Sequence, residues 1–236
     1  MAGDGVVSID TVPGRSDLTV LREEREELCE TLSQLDADAP TLCAGWTAMD
    51  IAAHLWAQER ADGLLGLVSY AVGVPVMLAG LRAGSRIASA NQRAAVRGHR
   101  RDDTAILAGL RRGPPAMFGL PVLAPGQLLE NWVHHEDIRR SCGCKARPSE
   151  ARVEAMLWRA LRLYGRYQRR AFSQVSVCLS SHHGLRMVVG KGPPVIVQGP
   201  AGELVLYMAG RREAAEVEVA GEPAALERLS EIVLTI

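Results

Sequence analysis

The sequence predicts an α+β fold, a helical bundle followed by a small α/β unit. Three observations carry that expectation. Apolar residues recur at helical spacing through the first two-thirds of the chain, and from Gln174 the period changes to two. The 236 residues are 47% hydrophobic, enough for a substantial core in one large domain or two small ones. The 27 basic side chains balance 27 acidic ones, so the formal net charge is zero. Without a basic excess to release counterions from phosphates, generic nucleic-acid binding is disfavoured, and general disorder is excluded by the apolar content.

Each element follows in order. Residues 18–35 place Leu18, Leu21, Leu28, Leu32 and Leu35 near one stripe, with a Glu/Arg outer face, and Pro40 closes that helix. The second helix starts at Thr47, whose hydroxyl can cap it while Asp50 answers as the capping-box acid, and it runs through His54 and Gln58 to about Asp62. Residues 63–81 form a 19-residue stretch without a charge. Glycines and Pro75 interrupt it, so a buried bundle segment is expected there and not a membrane span. Helices are expected at 85–96, 102–110, 125–142 and 149–171, the last capped by Ser149. Strands follow at 174–179, 185–189, 194–198 and 215–219, with helices at 199–209 and 223–232. The division is a flexible tail at 1–17, a metal-binding helical bundle at 18–172 and a C-terminal α/β domain at 173–236.

The odd, scattered set of five cysteines does not read as a secreted disulfide framework, and the N-terminus lacks the basic and apolar regions of a signal peptide. A cytoplasmic protein is expected. Arginine far exceeds lysine, which occurs only at Lys145 and Lys191, a bias that points to GC-rich codons. The cluster Arg93, Arg97, Arg100 and Arg101 is basic, yet residues 71–117 hold no aromatic side chain on which bases could stack.

The informative segment is Glu130-Asn131-Trp132-Val133-His134-His135-Glu136-Asp137-Ile138-Arg139-Arg140. On a helix, Glu130, His134 and Asp137 share one stripe, and their neighbours are apolar. Ionisable groups beside an apolar interior are costly unless paired or bound to a metal. A carboxylate and an imidazole one turn apart can chelate one divalent ion, and zinc needs a further ligand from elsewhere. His54, mid-helix among apolar residues, is the best donor. Taken alone, His54 reads as a core histidine bonded to Asp50, and Glu130 with His134 reads as a surface pair. Taken together, the three speak as much for a metal site with an open coordination position as for those separate pairings. His135 points to another face, Cys43 reads as a structural thiol in a packed turn, and His182-His183 reads as an exposed hairpin turn.

LCAGWTAMDIAAHL, followed by ENWVHHEDIRR, resembles the actinobacterial mycothiol-dependent maleylpyruvate isomerase family, which belongs to the DinB-like metal-binding four-helix bundles. The resemblance implies that His54, Glu130 and His134 are metal ligands. GPAGELVLYMAGR resembles the family's second domain, of sterol-carrier-like α/β fold, with Arg211 in its Gly-Arg pair. From this follow a zinc cofactor, mycothiol as a possible cosubstrate, and a small electrophilic substrate. Zinc would lower the pKa of a bound thiol. Arg211 and Arg82 are the candidate catalytic anion readers, because a guanidinium grips carboxylates bidentately. The expected activity is a thiol transferase or isomerase, in a monomer or homodimer without nucleic-acid or membrane partners. The alternative is a non-catalytic metal-binding or small-ligand-binding protein on the same scaffold, with Asp137 or His135 as a further ligand.

Overall fold

A computed structural model describes residues 16–59, 102–121, 123–148 and 150–234. The expected segments at 63–81 and 85–96, Arg82 and almost all of the N-terminal tail lie outside the described residues. The fold is α+β, as the change of period predicts. Among the described residues five helices come first: α1 (Asp17–Ser33), α2 (Ala48–Glu59), α3 (Asp103–Arg111), α4 (Ala124–Ser141) and α5 (Ala151–Gln168). A four-residue 3-10 turn, Ala116–Gly119, precedes α4. Then come β1 (Ser176–Ser180), β2 (Arg186–Gly190), β3 (Pro194–Gln198), α6 (Ala201–Met208), β4 (Glu218–Gly221) and α7 (Pro223–Ser230).

Local chemistry starts the helices where expected. The Ser16 hydroxyl accepts from the Thr19 N–H at 3.1 Å to cap α1. At α2 the capping box is reciprocal: the Asp50 N–H donates to the Thr47 hydroxyl at 3.2 Å, and the Thr47 N–H donates to the Asp50 carboxylate at 3.0 Å. Asp102 caps α3 through the Ala105 N–H. One cap differs. The N-cap of α5 is Glu150 and not Ser149, which is outside the described residues, and no side-chain bond closes that end.

The sheet order is β2-β1-β3-β4, with β1 antiparallel to β2 and parallel to β3, and β3 antiparallel to β4. Val177, Leu179, Val195 and Val197 are buried on one face, whereas Val188 and Ile196 stand on the open one, as period-two strands require. The fourth strand lies three residues later than the alternation at 215–219 suggests. The cause is local. After α6 the N–H groups of Ala214 and Ala215 turn back onto the Arg211 carbonyl, which keeps that stretch out of the ladder.

α1 packs against α4 and α3, α2 against α3, and α4 against α5. The core does not stop at the end of α5. Leu128, Trp132, Leu157 and Leu161 of the helices form one cluster with Val177, Val195, Leu204 and Val205. Gly202 allows the closest approach, because a Cβ there would stand 2.6 Å from the Trp132 indole. Thus α6 lies directly on α4 and α5, and the chain that follows α6 reaches the polar residues of α4. Among the described residues, no helix is long and apolar enough to cross a membrane.

Candidate metal centre

Two helices build the site. α2 contributes His54 and, one turn on, Gln58; α4 contributes Glu130, His134 and Asp137 on a single stripe. The helices bring the three expected ligands together. Glu130 Oε2 lies 3.7 Å from His134 Nε2 and 4.0 Å from His54 Nε2. The two imidazoles meet edge to face with centroids 5.0 Å apart, and Trp46 packs on the outer edge of His54. Both histidines are buried, while the Glu130 side chain keeps 28% of its surface exposed.

The remaining face of His134 is fixed from behind. Its Nδ1–H donates to Asp137 Oδ2 at 3.0 Å, which aims Nε2 at Glu130. Asp137 is fully buried and is gripped by Arg211, with Nε on Oδ1 at 2.8 Å and Nη2 on Oδ2 at 2.7 Å. The Cys43 thiol donates to the same Oδ2 at 3.1 Å and accepts from Arg211 Nη2 at 3.2 Å. Arg211 reaches this point because Gly210 reverses the chain at φ +87°, where a side chain would collide with the Leu234 carbonyl.

The electrostatics follow from these contacts. Burial disfavours a charged His54, and the neighbouring His134 adds to that, so its pKa falls to about 3 and the ring stays neutral, with one nitrogen carrying a lone pair. Burial opposes charge on His134 as well, but hydrogen bonds to Asp137 and Cys43, with the Glu130 carboxylate nearby, raise it to about 9. Asp137 pays the same burial penalty, yet His134 and Arg211 hold its carboxyl well below the usual carboxylate range. Without a metal, His134 is therefore protonated on both nitrogens near neutral pH, Nδ1–H on Asp137 and Nε2–H facing Glu130.

The donor set suits a divalent ion. Two imidazole nitrogens and one carboxylate oxygen converge within 4.8 Å of one another. Glu130 Oε2 stands 3.7 and 4.0 Å from the two imidazole nitrogens, slightly wider than the roughly 3.3–3.5 Å separating ligands on a tetrahedral zinc with ~2.0–2.1 Å bonds, so small side-chain rotations close that difference. Cys43, His134 and Asp137 form a second such convergence, but there the Arg211 guanidinium already supplies the cation.

His135 does point elsewhere, with Nδ1 on Glu24 at 3.0 Å and Nε2 on the Thr31 hydroxyl at 2.9 Å. Its neighbour Glu136 is fully buried and accepts from Arg139, Arg140 and Arg147. Arg140 continues to Glu203 of α6 and to the Ala214 carbonyl, a second polar tie between α4 and the C-terminal chain. His182 and His183 are exposed between β1 and β2. Cys43 does sit in a turn, closed by the Trp46 N–H on its carbonyl, and its thiol in addition touches Asp137, His134 and Arg211. Long-range folding puts it there, since the Leu42 N–H donates to the Asp137 carbonyl at 3.0 Å. Gln58 had a readable signal, the four-residue spacing from His54, which places the two side chains on the same face of the helix.

The family profile described as the mycothiol maleylpyruvate isomerase N-terminal domain matches residues 18–139, more than half of the chain. The chain belongs to that family. In this mycothiol maleylpyruvate isomerase family member, the matched region contains His54, Glu130, His134 and Asp137 and ends before Arg211. Two solved structures of the mycothiol-dependent maleylpyruvate isomerase, one a point mutant, are similar to it at 19% and 17% identity. Each aligns over 87% of this chain and 92% of the other, with a TM-score of 0.45. Comparison with curated proteins gives no match.

Proposed function

We propose that this family member is a cytoplasmic, metal-dependent thiol transferase or isomerase. In this reading His54, Glu130 and His134 hold one divalent ion, zinc, and a low-molecular-weight thiol such as mycothiol is the cosubstrate. The observation that carries the reading is the convergence of three donors from two helices, with an Asp137–His134 pair behind them. A divalent ion in that position supplies a positive centre that stabilises a thiolate at neutral pH. The protein's own residues do the rest. Asp137 keeps the His134 ring in one orientation and Arg211 keeps Asp137 ionised.

Arg211 also lines a groove of about 720 Å³ together with Cys43, Tyr207, Arg212 and Leu229. Among the described residues four of its five N–H groups have partners, on both Asp137 oxygens, Cys43 and the Ala209 carbonyl. The remaining Nη1 hydrogen is available to a carboxylate of the electrophile. Arg211 thereby serves as a positioning residue for His134 as well as an anion reader, and Arg82 remains a second candidate reader.

Cobalt substitution tests the reading. Adding mycothiol, or a simple cysteine-derived thiol, to the cobalt protein should produce a sulfur-to-cobalt charge-transfer band and release about one proton per site. Cobalt binding without a sulfur band for any thiol would favour the second reading, a non-catalytic metal-binding protein. One observation favours that alternative: the Gln58 amide lies within hydrogen-bonding reach of both His54 and Glu130, where a further ligand could close the set.

A further inference from the structure

We propose that Gln58 is the fourth side chain of the metal centre, its amide oxygen closing the set in the resting protein and yielding to the incoming thiol. The inference rests on the reading that His54, Glu130 and His134 hold a divalent ion. Gln58 Nε2 lies 3.1 Å from His54 Nε2 and 3.5 Å from Glu130 Oε2, two donors that are themselves 4.0 Å apart. An amide NH2 can only donate, so His54 Nε2 is an acceptor here, and that is the nitrogen a metal requires. The amide group thus satisfies, without a metal, lone pairs of both donors that would otherwise face the cation.

With a cation present the same amide serves from the same place after a half-turn about its last bond. Oxygen and nitrogen exchange positions, and the oxygen then faces the positive centre. The spacing to His54 and Glu130 already approximates the roughly 3.3–3.5 Å between ligands on tetrahedral zinc. The helix fixes this position, because residue 58 is one turn beyond residue 54 on the same face. A neutral amide oxygen is a poor match for zinc beside a soft, anionic sulfur donor, so thiolate displaces it. No covalent bond in the protein is made or broken in the exchange. The two readings of the family scaffold then become two states of one site, closed at rest and open to thiol.

The experiment uses the full chain loaded with cobalt, and reads metal affinity and the sulfur-to-cobalt band separately. Gln58→Ala should bind cobalt about tenfold more weakly, the low end of what a partner around a metal contributes. It should also bind a cysteine-derived thiol more tightly than the parent, because nothing must be displaced. Gln58→Glu, which offers a charged oxygen at the same reach, should bind cobalt more tightly and resist the thiol. Unchanged cobalt affinity in Gln58→Ala overturns the proposal, and so does weaker thiol binding in that variant. If His54→Ala keeps its metal, the three-ligand reading itself has failed. A parent sulfur band with an indifferent Gln58→Ala removes the Gln58 role alone.

Discussion

His54→Ala, Glu130→Ala and His134→Ala should each strip the protein of its divalent ion, from about one per chain to nearly none after dialysis. The expected loss is large because three side chains supply all the charge and basicity proposed for the centre. Removing one leaves two strong donors with at most a weak amide oxygen beside them, and such a site on a protein holds zinc poorly against buffer and water. His182→Ala is the control, since that histidine is exposed between β1 and β2 and belongs to neither helix that holds the site. Elemental analysis gives the answer directly. Full metal content in all three variants would leave no role for the convergence described above.

The second large effect is expected at Asp137. This carboxylate holds the buried His134 in position and neutralises Arg211, of which only 13% of the side chain is exposed. Asp137→Ala leaves that guanidinium without its partner, and breaking a buried pair in this way costs about 3–5 kcal/mol. At ~2–4 °C per kcal/mol for a chain of this size, the thermal midpoint should fall by roughly ten degrees. Metal affinity should fall too, by about 10–100-fold, because the imidazole loses the bond that aims it. The double variant Asp137→Ala/Arg211→Ala should recover part of the stability but none of the metal affinity. Parental metal affinity in the single variant would mean that His134 is aimed by packing alone.

Much of the site is legible in the sequence, because much of it is local. Glu130, His134 and Asp137 follow from a helix and its periodicity, and the apolar setting of His54 marks it as a polar group facing inward. The capping box at Thr47 and Asp50 fixes where α2 begins and so which way His54 looks. What escapes is set by distance along the chain. Cys43 is 94 residues from Asp137, and nothing near it announces their contact. Arg211 is suggested only by a Gly-Arg pair, whereas its role on Asp137 depends on the reversal at Gly210. The shifted fourth strand has the same origin, since the turn on the Arg211 carbonyl outweighs a short alternating pattern.

Helix α4 is buried almost all round: Gln127, Leu128, Leu129 and every residue from Asn131 to Ile138. Successive positions serve different neighbours. Trp132 meets α6, His134 the metal position, His135 α1, Glu136 three arginines and Asp137 the C-terminal chain. An ordinary surface helix leaves about half of each turn free to vary without penalty. Here there is no such half. A saturation-mutagenesis profile should show an unbroken block of intolerance across 131–138, where an amphipathic helix would show a 3.6-residue ripple. Sequence drift that alters substrate preference must therefore accumulate elsewhere, on the walls of the groove and the exposed strand β4, while this helix stays fixed as the shared axle of both parts of the chain.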